Sequence, residues 1–211
     1  LDAVANLLKA HPGEFAGLIM EPTNLIEPAP GYLDGLQELM RKDGALLIFD
    51  EMITGFRFAL GGAQELFGVT PDLATFGKGM ANGMPLSAIV GRGDIMAEME
   101  QIFFSSTFGG EALSLAAAIA TIDKIRREPV IETLWQSGEK LAQAVRELIS
   151  TYDLESHISL QGKAPWMVVI TNDGPEASGR ALKTMLIYEL AARGVLSLGS
   201  HNISYAHTQE D

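Results

Sequence analysis

The run Ala45-Leu46-Leu47-Ile48-Phe49 closes on two adjacent carboxylates, Asp50 and Glu51. An unbroken apolar run bounded by polar residues reads as a strand buried on both faces of a parallel sheet. Such sheets collect their ligands at the carboxyl ends of the strands, where Asp50 falls. A carboxylate there is costly unless a cation or several donors meet it, so the strand end asks for a positive partner. Further on, Lys78 stands between Gly77 and Gly79, and neither neighbour has a side chain to obstruct a ligand approaching the amine. Together the two groups suit a bound cationic ring and an amine that attacks a carbonyl.

Other readings of the pair have to be weighed. An apolar run ending in Asp-Glu also describes the strand end that holds magnesium in P-loop nucleotide hydrolases. That reading requires a glycine-rich loop ending in Gly-Lys-Ser or Gly-Lys-Thr. Here Gly77-Lys78 is followed by Gly79, and Asp72 stands where the first glycine of such a loop belongs. Taken singly, Asp50 also suits a strand end that opens a turn, and Lys78 a solvated loop lysine. Their joint occurrence, with the punctuation between them, weighs against that plainer account.

Along the chain, residues 16–20, 46–50, 73–76 and 87–91 read as short strands, with helical material over 33–42 and 64–67, the alternation of an α/β layer. From 131 to 150, apolar residues recur at Ile131, Leu134, Trp135, Leu141, Val145, Leu148 and Ile149. This predicts one face of a helix that bridges two domains. Beyond it, 167–170, a helical 181–192 and 195–198 predict a small α+β unit. The expected division is 1–127 and 128–211.

The formal net charge of −12 opposes nonspecific binding to nucleic acid or to anionic membranes, whose phosphates would be repelled. No apolar stretch is long enough to span a bilayer. With 47% hydrophobic residues the chain has the material for a core. The absence of cysteine excludes disulfides and thiolate metal sites, and no metal is expected; a cytoplasmic setting is compatible with this.

The segments Gly44-Ala-Leu-Leu-Ile-Phe-Asp-Glu-Met-Ile-Thr-Gly-Phe-Arg57 and Gly68-Val-Thr-Pro-Asp-Leu-Ala-Thr-Phe-Gly-Lys-Gly-Met-Ala-Asn-Gly-Met-Pro85 carry a family resemblance. Glu21-Pro22 upstream and Ser106-Thr-Phe-Gly-Gly-Glu-Ala-Leu-Ser-Leu-Ala-Ala-Ala118 downstream fit it in the right order. From about residue 15 onward the chain resembles class III aminotransferases that use pyridoxal 5′-phosphate (PLP), and among them the glutamate-1-semialdehyde aminomutase branch. The resemblance implies an α/β fold of type I: part of a large, mostly parallel-sheet domain over 1–127, then a bridging helix and a small, incomplete C-terminal α+β domain over 128–211. It implies amino-group transfer between a small-molecule amino donor and a carbonyl acceptor, in a homodimer with shared active sites.

Residue by residue, Lys78 matches the lysine that forms the Schiff base with the cofactor, and afterwards moves the proton as acid and base. Asp50 matches the carboxylate that pairs with the pyridinium nitrogen, which keeps the ring an electron sink. Met52, two residues on, points to the same side as Asp50 in an extended backbone and is expected to pack on one ring face. The family more often has valine there, so a longer and softer side chain loosens that contact. Thr107 matches the residue that reaches the cofactor phosphate of the neighbouring subunit. Thr107-Phe-Gly-Gly110 leads into a helix expected over 111–124, whose free N–H groups suit an anion; the plainer account of Thr107 is a helix cap.

Departures from the family pattern bear on the reaction. Ile53 stands where many members have a glutamine that meets the cofactor's phenolic oxygen, and isoleucine makes no such bond. Aminomutases use an asparagine from the loop after Glu-Pro, a part for which Asn24 is the candidate. Yet residues 197–207 lack the Phe-Glu-Ala-Gly-Phe pattern that precedes Ala-His in the mutases, which favours an aminotransferase. The family's N-terminal half, with its glycine-rich phosphate loop and ring-stacking aromatic residue, has no match here, so a noncatalytic fragment is the third reading. Arg57 suits a substrate carboxylate or an ion pair with Glu51 or Glu65. His201 and His207, Trp166 and the charged stretch 124–128 read more simply as structural or solvated.

Overall fold

The computed structural model describes residues 1–208 and 210–211. The chain forms two compact units, Leu1–Asn24 with Pro28–Ile131 and Leu25–Glu27 with Glu132–Asp211.

The first unit is a four-stranded sheet in the order β1-β2-β3-β4, made of β1 (Gly17–Met20), β2 (Leu46–Asp50), β3 (Leu73–Phe76) and β4 (Ala88–Gly91). The first three strands run parallel, with Met20 opposite Phe49 and Asp50 opposite Thr75, while β4 is antiparallel to β3. Around them lie α1 (Asp2–Ala10), α2 (Tyr32–Asp43), the short α3 (Ala63–Phe67), α4 (Gly93–Met96) and α5 (Ala112–Arg127). Each connection into a strand has a local cause. α2 stops at Gly44, whose φ of 79° is left-handed, and its N–H turns back to the Arg41 and Met40 carbonyls. Ala45 then donates to Met40 O, and β2 starts one residue later.

Within β2 the burial alternates, with Leu47 and Phe49 fully buried and Leu46, Ile48 and Asp50 half-buried. The expectation of a strand buried on both faces is therefore met on one face only. That face joins Leu8, Leu33, Met40, Val69, Ala74, Phe76, Met80 and Ala118 in one core cluster. Burying a large apolar side chain here contributes about 1.5–3 kcal/mol each.

The second unit holds most of α6 (Val130–Thr151), the antiparallel strands β5 (Ile158–Lys163), β6 (Trp166–Thr171) and β7 (Ser200–Asn202), and α7 (Gly179–Ala192). The buried line of α6 is Val130, Leu134, Gly138 and Ala142, whereas Leu141 and Leu148 are exposed. The helix face read from apolar spacing is thus rotated. At Gly138 an added methyl would collide with the Ala164 carbonyl, so close backbone approach rather than side-chain size selects the inward line. The strand expected over 195–198 falls instead at Ser200–Asn202, and α1 and β5 are elements that the sequence pattern did not disclose.

Candidate active site

Because β1, β2 and β3 are parallel, the turns that follow them emerge along one edge of the sheet. Asn24 lies in the turn after β1, Asp50 and Met52 at the end of β2, and Lys78 just past β3. Four of the five expected site residues are brought to that edge by topology alone.

Asp50 is half-buried. Its Oδ1 accepts from the Met52 N–H at 3.0 Å and from the Thr75 hydroxyl at 3.4 Å, whereas Oδ2 accepts from no donor among the described residues. The strand ends at Asp50, so Met52 is placed by a turn and not by strand alternation. Its side chain lies against Gly77, where an added methyl would collide with it.

Lys78 opens a 3₁₀ turn, Lys78–Ala81, against which α5 packs. Its φ of 44° is left-handed, a conformation that costs a non-glycine residue of order 1–3 kcal/mol and gathers at functional positions. The side chain is exposed and makes no hydrogen bond or ion pair among the described residues. An unpaired carboxylate oxygen and an unpaired amine on neighbouring strand ends are the donor set that a pyridinium nitrogen and an aldehyde carbon require. The residues present fit PLP.

Glu51 points the other way. It is fully buried, and its carboxylate accepts from the Thr54 hydroxyl and from the N–H groups of Ala63 and Gln64, both at 2.8 Å. Glu65 accepts from the Gly61 N–H. The two expected ion-pair partners of Arg57 are therefore engaged with backbone groups, and burial pushes the Arg57 guanidinium below its ordinary value. Sequence reasoning missed the Glu51–Thr54 cluster. Its only signal was Gly62, an apparent helix start without a capping side chain.

Thr107 is not brought to the strand ends by any contact of its own. It lies in the exposed segment 101–110, five residues before α5. The cap of α5 is Glu111, whose carboxylate accepts from the Leu113 and Ser114 N–H groups and the Ser114 hydroxyl. Thr107 is thus not the cap, and a carboxylate already occupies the helix start expected to hold an anion. In the second unit, His201 is half-buried and burial pushes its imidazole down, while His207 Nδ1 accepts from the Ser204 N–H.

Three parallel strands that carry a carboxylate and an amine to one edge, with helices around them, have the architecture of fold type I. Residues 1–208 match the family described as Aminotransferase class-III, and the chain belongs to that family. It is 38% identical over its whole length to a 3-aminobutyryl-CoA aminotransferase of Cloacimonas acidaminovorans, covering 53% of that protein. It is 43% identical over 70% of its length to a glutamate-1-semialdehyde 2,1-aminomutase of Syntrophobacter fumaroxidans, covering 36% of it. Among solved structures, the PLP internal aldimine form of the Sphingopyxis sp. MTA144 FumI protein matches the whole chain and 51% of its own, at 27% identity and a TM-score of 0.90. The chain spans about half the length, or less, of these curated relatives.

Proposed function

We propose that the protein containing this chain is a PLP-dependent aminotransferase, moving an amino group between a small-molecule amino donor and a carbonyl acceptor. The observation that carries this reading is that Asp50 Oδ2 and Lys78 Nζ, at adjacent strand ends, each have no hydrogen-bond or ion-pair partner among the described residues. When bound, PLP supplies an aldehyde carbon that amines attack and a ring that accepts the electrons left by a departing α-proton. Asp50 Oδ2 would accept the ring N–H and hold the proton on that nitrogen. Lys78 Nζ would hold the cofactor covalently and, when free, would serve as the base and acid that moves a proton at the substrate carbon. Met52 and Asn24 lie along the same edge, where Met52 would pack on the ring and Asn24 would meet its phenolic oxygen.

Thr107 is assigned to the cofactor phosphate of a partner subunit in a homodimer. Supporting this, the residues around it are apolar and exposed: Phe103 at 97%, Phe104 at 65% and Phe108 at 62%. Patches of this kind mark contact surfaces. The cytoplasm is the proposed setting, on the ground of a sequence without cysteine.

Borohydride reduction of the full-length protein with PLP, followed by peptide mapping, should leave a pyridoxyl group on Lys78. Labelling at a different lysine would remove the assignment. The name of the Cloacimonas relative makes a 3-aminoacyl thioester the first donor to test. The 43% identity to an aminomutase supports a second reading, isomerisation. Product analysis separates the two, because a mutase returns the amino group to the same carbon skeleton.

A further inference from the structure

We infer that Glu51, with Thr54 and the first turn of α3, is a positioning device that sets both Asp50 and the approach to Lys78; this rests on the reading under Proposed function. Glu51 is 0% exposed and Thr54 1% exposed, so neither touches substrate or cofactor. Burying a carboxylate costs several kcal/mol unless donors meet it, and here the Thr54 hydroxyl and two backbone N–H groups do. A helix start as short as that of α3 does not need this. A serine or aspartate at Gly62 would cap it locally without burying a charge from twelve residues away. Gly62 instead leaves the space open, since an added methyl there would collide with the Glu51 carboxylate.

What the arrangement does is fix the turn between the two reactive strand ends. Glu51 N–H donates to Thr75 O at 2.9 Å, and Gly55 N–H donates to Glu51 O at 2.8 Å. Gly55 lies so close to the Phe76 ring that an added methyl would sit 2.5 Å from it. The turn is thereby clamped at its start by β3, at its end by Phe76 and along its side chain by α3. Between those clamps stands Met52, whose N–H holds Asp50 Oδ1 and whose side chain rests on Gly77, the residue before Lys78. Releasing Glu51 frees Met52, and through it both the direction of Asp50 Oδ2 and the backbone that presents Lys78.

The test uses the full-length protein in five forms: wild type, Asp50→Asn, Thr54→Val, Glu51→Gln and Thr54→Ser. PLP affinity is measured by titration, the pH midpoint of the bound cofactor's visible absorbance by spectroscopy, and the melting temperature without PLP by calorimetry. Thr54→Val and Glu51→Gln should weaken PLP binding roughly tenfold or more. They should also displace the midpoint in the same direction as Asp50→Asn, by about one pH unit, whereas Thr54→Ser restores both. A lowered melting temperature with wild-type affinity and midpoint would make the cluster a helix cap and overturn the inference. So would failure of both Thr54→Val and Glu51→Gln to fold. A wild type that does not bind PLP, or an Asp50→Asn midpoint equal to wild type, would instead overturn the underlying site reading.

Discussion

The turns after β2 and β3 and the segment 101–110 both carry groups that the proposed function assigns to one cofactor, yet they are held in opposite ways. The first region is clamped: Glu51 and Thr54 are buried, Asp50 Oδ1 has two donors, and glycines at 55, 62 and 77 admit close contacts that any side chain would forbid. The second is exposed at every residue from 101 to 110 and displays three phenylalanine rings to solvent. This chain holds a carboxylate and an amine in place because a packed sheet stands behind them. It does nothing comparable for Thr107. Residues whose geometry is fixed by the fold of this chain should fail alone, and residues that need an external surface should fail in a way that a second subunit can repair.

The largest effect expected from this contrast is at Lys78. Lys78→Ala in the full-length protein should abolish borohydride labelling and lower turnover by several orders of magnitude, since the proposed attacking amine is removed. Steady-state rates above a tenth of wild type would show that the strained lysine is not the attacking group. Asp50→Asn comes next, with α-proton removal slowed roughly a hundredfold or more, each tenfold corresponding to about 1.4 kcal/mol. Single-turnover rates and deuterium exchange at the α-carbon measure this, and wild-type rates would release the ring nitrogen from any need of a proton.

Thr107→Ala should cost less, about 1.5–3 kcal/mol of phosphate binding, and its character should differ. Unfolded and refolded together, Lys78→Ala and Thr107→Ala subunits should complement each other. About half the random dimers are mixed, and each mixed dimer has one unmutated site, so roughly a quarter of all sites recover. Activity no higher than the parental average would place both residues in one subunit's site and erase the contrast.

The smallest effect is expected at Glu111. The Ser114 hydroxyl first, then the Leu113 and Ser114 N–H groups, hold its carboxyl below the ordinary carboxylate range. In the unfolded chain Glu111 takes up its proton at a higher pH. Its stabilisation is therefore complete above the ordinary range and is lost as pH falls through it toward the folded value. Glu111→Gln should lower the melting temperature at neutral pH and leave it unchanged in strong acid. An equal effect at both extremes would mean that shape, not charge, caps α5.

Much of the first unit was legible because its signals are local. Apolar runs bounded by glycine, proline and aspartate marked four strands to within a residue at either end, and the parallel order of three of them carried Asn24, Asp50 and Lys78 to one edge. What stayed hidden shares a single character. Met52 was read by strand alternation, but the chain turns after Asp50, and where a strand stops depends on what packs beyond it. On α6, Leu141 and Leu148 look like core residues by composition; only the approach of the Ala164 carbonyl reveals that Gly138 and its neighbours face inward.

The amino-acid sequence by itself determined the chemistry available to this protein: a carboxylate ending an apolar strand and a lysine between glycines. These are properties of neighbouring residues, and neighbours along a chain constrain one another however it folds. Tertiary structure alone decided that Glu51, adjacent to Asp50, turns its carboxylate to N–H groups twelve and thirteen residues away while Asp50 keeps one oxygen unpaired. The two acids are alike in composition and in sequence context. They part because β2 ends between them: Asp50 closes the strand while Glu51 enters the turn, and only packing sets the start of α3 against its carboxylate.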